Sequence, residues 1–303
     1  MKLHLPQGLF RALLAVFACF SVSEAAVTIP EGYTTVQINS AADFAAFTPE
    51  SSVNYAFVVA DGVSIEGTRG KTLLPPGSVW VQSDGSMSLV GAAGDGNMSY
   101  LFSGSSLTLT GDSIDIRGWQ AKKGVARGAI STTNLTVQDT TGTVRFGDCT
   151  ATGFSAVVTV AENGSVVLSG NKGSVLFENN QAYRYEKVGI SWEKTGNGAA
   201  VYLNSGATLN VSGNADVAFR GNNTKEQGGA IYASMSNGNE ARINFSGNGR
   251  VEFSDNVARS DGGAIYGRLI SFTGNDEVLF SGNQANESSS IGGGGYICQR
   301  RYE

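Results

Sequence analysis

Carboxylates are spread along the middle of the chain, among them Asp112, Asp115, Asp148, Asp216, Glu252 and Asp255. Two such groups held on one face, or one beside an arginine or a histidine, would supply the acid and base that cleave or eliminate a glycosidic bond. These six occupy different places in the local sequence pattern, and the single histidine, His4, sits at the extreme N-terminus. The expectation is a solvated outer face and no catalytic residue. Gly292 to Gly295 are followed by neither Lys-Ser nor Lys-Thr, so they do not form a phosphate loop, and the GGxGxD pattern of calcium-binding solenoids is missing. No metal and no cofactor is expected. Of the cysteines Cys19, Cys149 and Cys298, too few for a disulfide scaffold, Cys149 stands as the candidate for a disulfide within or between chains.

The elements that carry these residues follow from composition. Among 303 residues there are 41 glycines and only 5 prolines, with 16% charged residues, which favours short strands and many turns. Residues 1–25 read as an export signal: Lys2 and Arg11, an apolar run from Ala12 to Phe20, and a small-residue cleavage site at Ser23-Glu24-Ala25. The formal charge of −5 becomes one unit more negative when Lys2, Arg11 and Glu24 leave, and no Lys/Arg cluster remains. That balance excludes a nucleic-acid partner.

Three short phrases recur. "VLFENN" at Val175, "VAFRGN" at Val217, "VEFSDN" at Val251 and "VLFSGN" at Val278 share an aliphatic residue, a Phe two positions on and an Asn three beyond it. Each is preceded by "LSGN", "VSGN", "FSGN" or "FTGN", at Leu168, Val211, Phe245 and Phe272. The third phrase follows as "GAAVY" at Gly198 and "GGAIY" at Gly228 and Gly262, with "RGAIS" at Arg127 as an earlier relative. The Phe column falls at Phe146, Phe177, Phe219, Phe253 and Phe280, giving units of 31, 42, 34 and 27 residues.

Within Val251-Glu252-Phe253 the apolar residues alternate with a polar one, the period of a strand. Three strands per unit, stacked at about 4.8 Å, predict an all-β, right-handed parallel β-helix with Phe over Phe in its core. Asn at one corner of successive coils would hydrogen-bond to Asn above and below. Residues 26–100 lack the repeat and read as an irregular cap with early coils, and 101–291 as the repeats proper. Cys149 falls where the repeat calls for Asn.

The pairing of FxxN with GGAI resembles the polymorphic outer membrane protein family of chlamydiae. The resemblance rests on Phe177 and Asn180 with Gly198 to Val201, on Phe219 and Asn222 with Gly228, Gly229, Ala230 and Ile231, and on Phe253 and Asn256 with Gly262, Gly263, Ala264 and Ile265. Phe280 and Asn283 add a last FxxN, and the matching part spans roughly residues 110–297. The resemblance implies an autotransporter passenger displayed at the cell outer membrane. Such a passenger acts as an adhesin towards a host-cell receptor, or binds other envelope proteins or its own copies, with no small-molecule substrate. It makes an intermolecular disulfide through Cys149 a reading of equal weight to a small side chain filling a corner. An exported β-helix enzyme acting on polysaccharide is the alternative.

The last residues, "GGGGYICQRRYE", interrupt the series. Back-translated and shifted by one base, the codons for Tyr296 to Gln299 can read Ala-Ile-Tyr-Ala, the phrase at Ala230 to Ala233. Residues 292–303 are therefore expected to be an out-of-frame or truncated tail. The resemblance would place such a chain, without a C-terminal barrel, in the periplasm or among secreted proteins, or make it a non-functional product.

Overall fold

A computed structural model describes residues 28–92, 100–120, 128–151, 154–182, 196–236, 238–286 and 296–297. The export signal with Cys19, and the tail with Cys298, lie outside the described residues, apart from Tyr296 and Ile297.

The chain winds as a parallel β-helix. One row of strands contains Val144–Gly147, Ser174–Glu178, Asp216–Arg220, Arg250–Ser254 and Glu277–Ser281, each hydrogen-bonded in parallel to the next. A second row holds Thr208–Ser212, Arg242–Ser246 and Leu269–Thr273, and a third holds Val201–Leu203, Ile231–Ala233 and Ile265–Tyr266. Longer strands run through corners: Val158–Ser169 serves two rows at once and Phe102–Arg117 serves all three. The same parallel stacking reaches back through Ser78–Val90 and Asn54–Ala60 to Tyr33–Ile38. Near this first coil the helix Ala41–Ala46, capped by Ser40, brings Phe44 and Phe47 to 5.5 and 5.2 Å from Phe57. Among the described residues only Tyr296–Ile297 pairs antiparallel, against Ile265–Tyr266.

A fourth, two-residue row completes each coil: Thr150–Ala151, Gln181–Ala182, Asn223–Thr224, Val257–Ala258 and Gln284–Ala285. Sequence reading finds three strands per coil and misses this one because two residues are too short to show a period. Its signal is a small residue two positions after the repeat Asn.

Register places like over like. Phe146, Phe177, Phe219, Phe253 and Phe280 stack with ring centroids 4.6 to 4.9 Å apart and planes within 9°. A second column, Phe245 on Phe272, meets the first edge to face. The edges of one column thus contact the faces of the other, a favourable arrangement of ring quadrupoles.

The corners carry the polar counterpart. Asn180 Nδ2 donates to Asn222 Oδ1 at 3.0 Å, Asn222 to Asn256 at 2.9 Å, and Asn256 to Asn283 at 2.8 Å. The second Nδ2 hydrogen of each goes to a Phe carbonyl on the preceding coil, and each Oδ1 also accepts the backbone N–H of the preceding Asn. For Asn222 and Asn256 both donors and the acceptor are thereby satisfied in a dry interior. A second ladder, Asn171, Asn214, Asn248 and Asn275, does the same at another corner, with steps of 2.6, 2.9 and 2.7 Å. The residue before each ladder Asn has φ between 52° and 64°, and it is Gly, Asn or Asp, the types that tolerate this turn.

Phe219→Ala would open a cavity between Phe177 and Phe253, and we expect a loss of about 3–5 kcal/mol. Asn222→Ala would orphan the Asn180 amide and the Phe177 carbonyl, and we expect a loss of about 3 kcal/mol or more. Equilibrium denaturant unfolding of both variants measures this, and wild-type stability in either would show that the columns do not hold the coils.

Candidate functional site

The repeat motif faces inward. Phe177, Phe219, Phe253, Asn180, Asn222 and Asn256 are fully buried, as are Ala230, Ile231, Ala264 and Ile265; Asn283 is buried and Phe280 partly so. Gly228 and Gly262 hold φ of 67° and 65°, which starts the turn into the third row. A Cβ on Gly229 would collide with the Gly263 carbonyl, and one on Gly263 would lie 2.7 Å from Gln284 backbone. Each motif position is thus explained by stacking, and the residues between them are left to face outward. Sequence reading also missed one copy of the third phrase, Ser155 to Thr159, which pairs with Ala199 to Tyr202 through Val158 and Val201. Its alternation of Val and Thr was legible, but without a glycine pair nothing marked it.

Cys149 occupies the first position of the Asn ladder. Its backbone N–H donates to Asn180 Oδ1 at 3.1 Å, and its thiol donates to the Gly147 carbonyl at 3.4 Å. The thiol is free and fully buried, and burial pushes its pKa up to about 12. A disulfide between chains would require the coil to open, so the corner-filling role is the one this geometry fits. In a Cys298→Ser background we expect Cys149 to resist a thiol reagent such as DTNB at pH 8 until denaturant is added. Rapid labelling of the folded chain would contradict the burial.

The outer faces show what the motif leaves free. Along the third row the outward column runs Ser103, Ser131, Thr159, Tyr202, Tyr232 and Tyr266, hydroxyls followed by phenols. The three tyrosines stack at 4.7 and 5.4 Å, and Phe154 lies tilted on Tyr202 at 4.7 Å. Burial raises the Tyr202 and Tyr232 phenols above their ordinary value, with a further contribution from the next tyrosine in the stack.

On the first row the predicted acids meet arginines. Arg145 binds Glu178 at 2.6 Å, Asp148 at 2.6 Å and Asp115 at 3.2 Å. Burial lowers the Arg145 pKa, but hydrogen bonds to these three carboxylates outweigh it and the net shift is upward. Glu252 receives Arg220 at 2.7 Å, Arg250 at 2.6 Å and the Ser254 hydroxyl at 2.7 Å. The acids lie on this outer face, with Asp148 and Asp255 exposed and Glu252 buried, and stacking brings equivalent positions together so that opposite signs alternate from coil to coil, as in Asp216, Arg250 and Glu277. Of the remaining acids, Asp112 accepts from the Thr141 hydroxyl at 3.2 Å, and Asp255 takes a corner with φ of 52°. Among the described residues no group of three His, Cys, Asp or Glu side chains could hold a metal ion.

The hydrogen bond from Arg220 holds the Glu252 carboxyl at about 2, against an ordinary value of 4.5, with burial opposing and Ser254 and Arg250 assisting. A depressed folded pKa means that the stabilisation is complete above pH 4.5 and is lost as pH falls from 4.5 towards 2. After solvent screening we expect on the order of 1–2 kcal/mol from this group. Urea unfolding across that pH range should show the loss in the wild type and a flatter profile in Glu252→Gln. Parallel profiles would place the coupling elsewhere.

These observations define a parallel β-helical repeat protein whose motif residues build the frame. Residues 174–204, 216–234 and 250–268 match the family model described as the Chlamydia polymorphic membrane protein repeat, and these three stretches are similar to that repeat. The family is one of chlamydial outer-membrane and surface proteins. No curated protein and no solved structure matches the chain.

Proposed function

We propose that the protein is an exported surface passenger that acts as an adhesin or structural envelope protein in host-cell attachment, without enzymatic activity. The observation that carries this reading is the division of labour within each coil. The repeated residues are consumed by the ladders and stacks, while the outward positions change from coil to coil and form long, rigid, chemically varied faces. Such a face suits binding to a large partner, a host-cell surface receptor or another envelope protein. The acids are engaged by arginines, hydroxyls or corner turns, which supports binding over acid–base chemistry. The family to which the repeat belongs supports display at the cell outer membrane.

Beads coated with the purified full chain should attach to cultured host cells above beads coated with an unrelated β-helix. Equal attachment would refute the adhesin role.

A further inference from the structure

Three of the four buried side-chain polar atoms without a hydrogen-bond partner, among the described residues, occur together: Trp80 Nε1, Gln82 Oε1 and Thr110 Oγ1. Trp80 and Gln82 lie two residues apart on one face of the strand Ser78–Val90, and Thr110 pairs with Gln82 on the neighbouring strand Phe102–Arg117. Val79 and Val81 point into the core, so the other face, which carries Trp80 and Gln82, is the outer one. Trp80 is only 6% exposed and Thr110 is fully buried. Gln82 is held by one end alone, its Nε2 donating to Asp84 at 3.1 Å while its oxygen accepts from nothing.

An unpartnered buried polar group is costly, so three side by side call for an explanation. The explanation is supplied by the outer surface at this point, where Trp80, Gln82, Asp84, Asp112, Asp139 and Lys172 line a groove of about 600 Å³. The orphan groups are an N–H donor, a carbonyl acceptor and a hydroxyl that can be either. Trp80 and Gln82 stand about 7 Å apart along the strand, a separation that neighbouring hydroxyls of one or two sugar rings can span. A sugar hydroxyl both donates and accepts, and so satisfies an indole N–H and an amide oxygen alike. Trp80 and Gln82 line the groove, and Thr110 lies fully buried beside Gln82 on the neighbouring strand.

The rim selects by charge. Asp84, Asp112 and Asp139 against Lys172 leave the groove net negative, which disfavours sulfated or sialylated chains, while carboxylates accept hydrogen bonds from uncharged sugars. We propose that this groove on the early coils binds an uncharged oligosaccharide through Trp80 Nε1 and Gln82 Oε1, the two side chains turning to present these atoms to the ligand. The proposal rests on the adhesin reading and names the chemistry of its partner.

The test is binding of the full chain to a glycan array carrying neutral oligosaccharides, with heparin fragments as the charged control, followed by calorimetry on the tightest neutral ligand. Trp80→Phe keeps the ring and removes the N–H, and Gln82→Leu removes the acceptor. Each is expected to weaken neutral-glycan binding at least tenfold with an unchanged melting temperature. A variant with a lowered melting temperature is replaced by Gln82→Met, which keeps the length of the side chain and removes the acceptor oxygen. No neutral glycan bound, preference for heparin, or affinity untouched by the substitutions would overturn the proposal; the last would mean that ordered water fills the orphan sites. Bead attachment separates the two readings. Beads that attach equally with Trp80→Phe and Gln82→Leu keep the adhesin and refute the groove. Glycan binding without attachment keeps the groove and refutes the adhesin.

Discussion

Stacking at the strand repeat makes each position in the coil a neighbour of itself. A side chain can occupy a column only if it is compatible with a copy about 4.8 Å away. Asparagine is, because it offers donor and acceptor at once and can pass the pattern on without end. Phenylalanine is, because an offset ring accepts another ring over it. A single charge is not, and the arginine and carboxylate columns accordingly alternate in sign. The core, the corners and the outer face all answer to this one condition.

The condition also separates frame from function. Residues repeated from coil to coil are those that self-stack, and apart from the tyrosines of the third row they point inward or turn corners. A surface that must distinguish partners needs positions free of that demand, and these are the outward residues of the strands. Conspicuous motifs in a solenoid therefore mark the scaffold, and the outward positions that vary lie unremarked beside them. Trp80 illustrates the point, since it belongs to no repeat phrase, faces outward and keeps an unused donor.

Much of the frame was legible in the chain because its physics is periodic. The Phe and Asn columns could be aligned by eye, and the ladder at Asn180, Asn222, Asn256 and Asn283 follows from that alignment. The short fourth row and the Ser155 to Thr159 copy could not, because two-residue strands and glycine-free turns leave little trace. The ion pairs of the acids were not legible for a different reason. Asp115 and Glu178 are 63 residues apart in number yet share Arg145, which no local reading reveals.

The sequence alone determined the stacking class, since a self-compatible residue recurring at strand spacing has few other ways to satisfy its hydrogen bonds and bury its rings. Tertiary structure decided which outward residues meet. Loop lengths differ between coils, so the neighbours across the winding are set by closure of each turn, and that closure brought the arginines to the acids and placed Trp80, Gln82 and Thr110 beside one another.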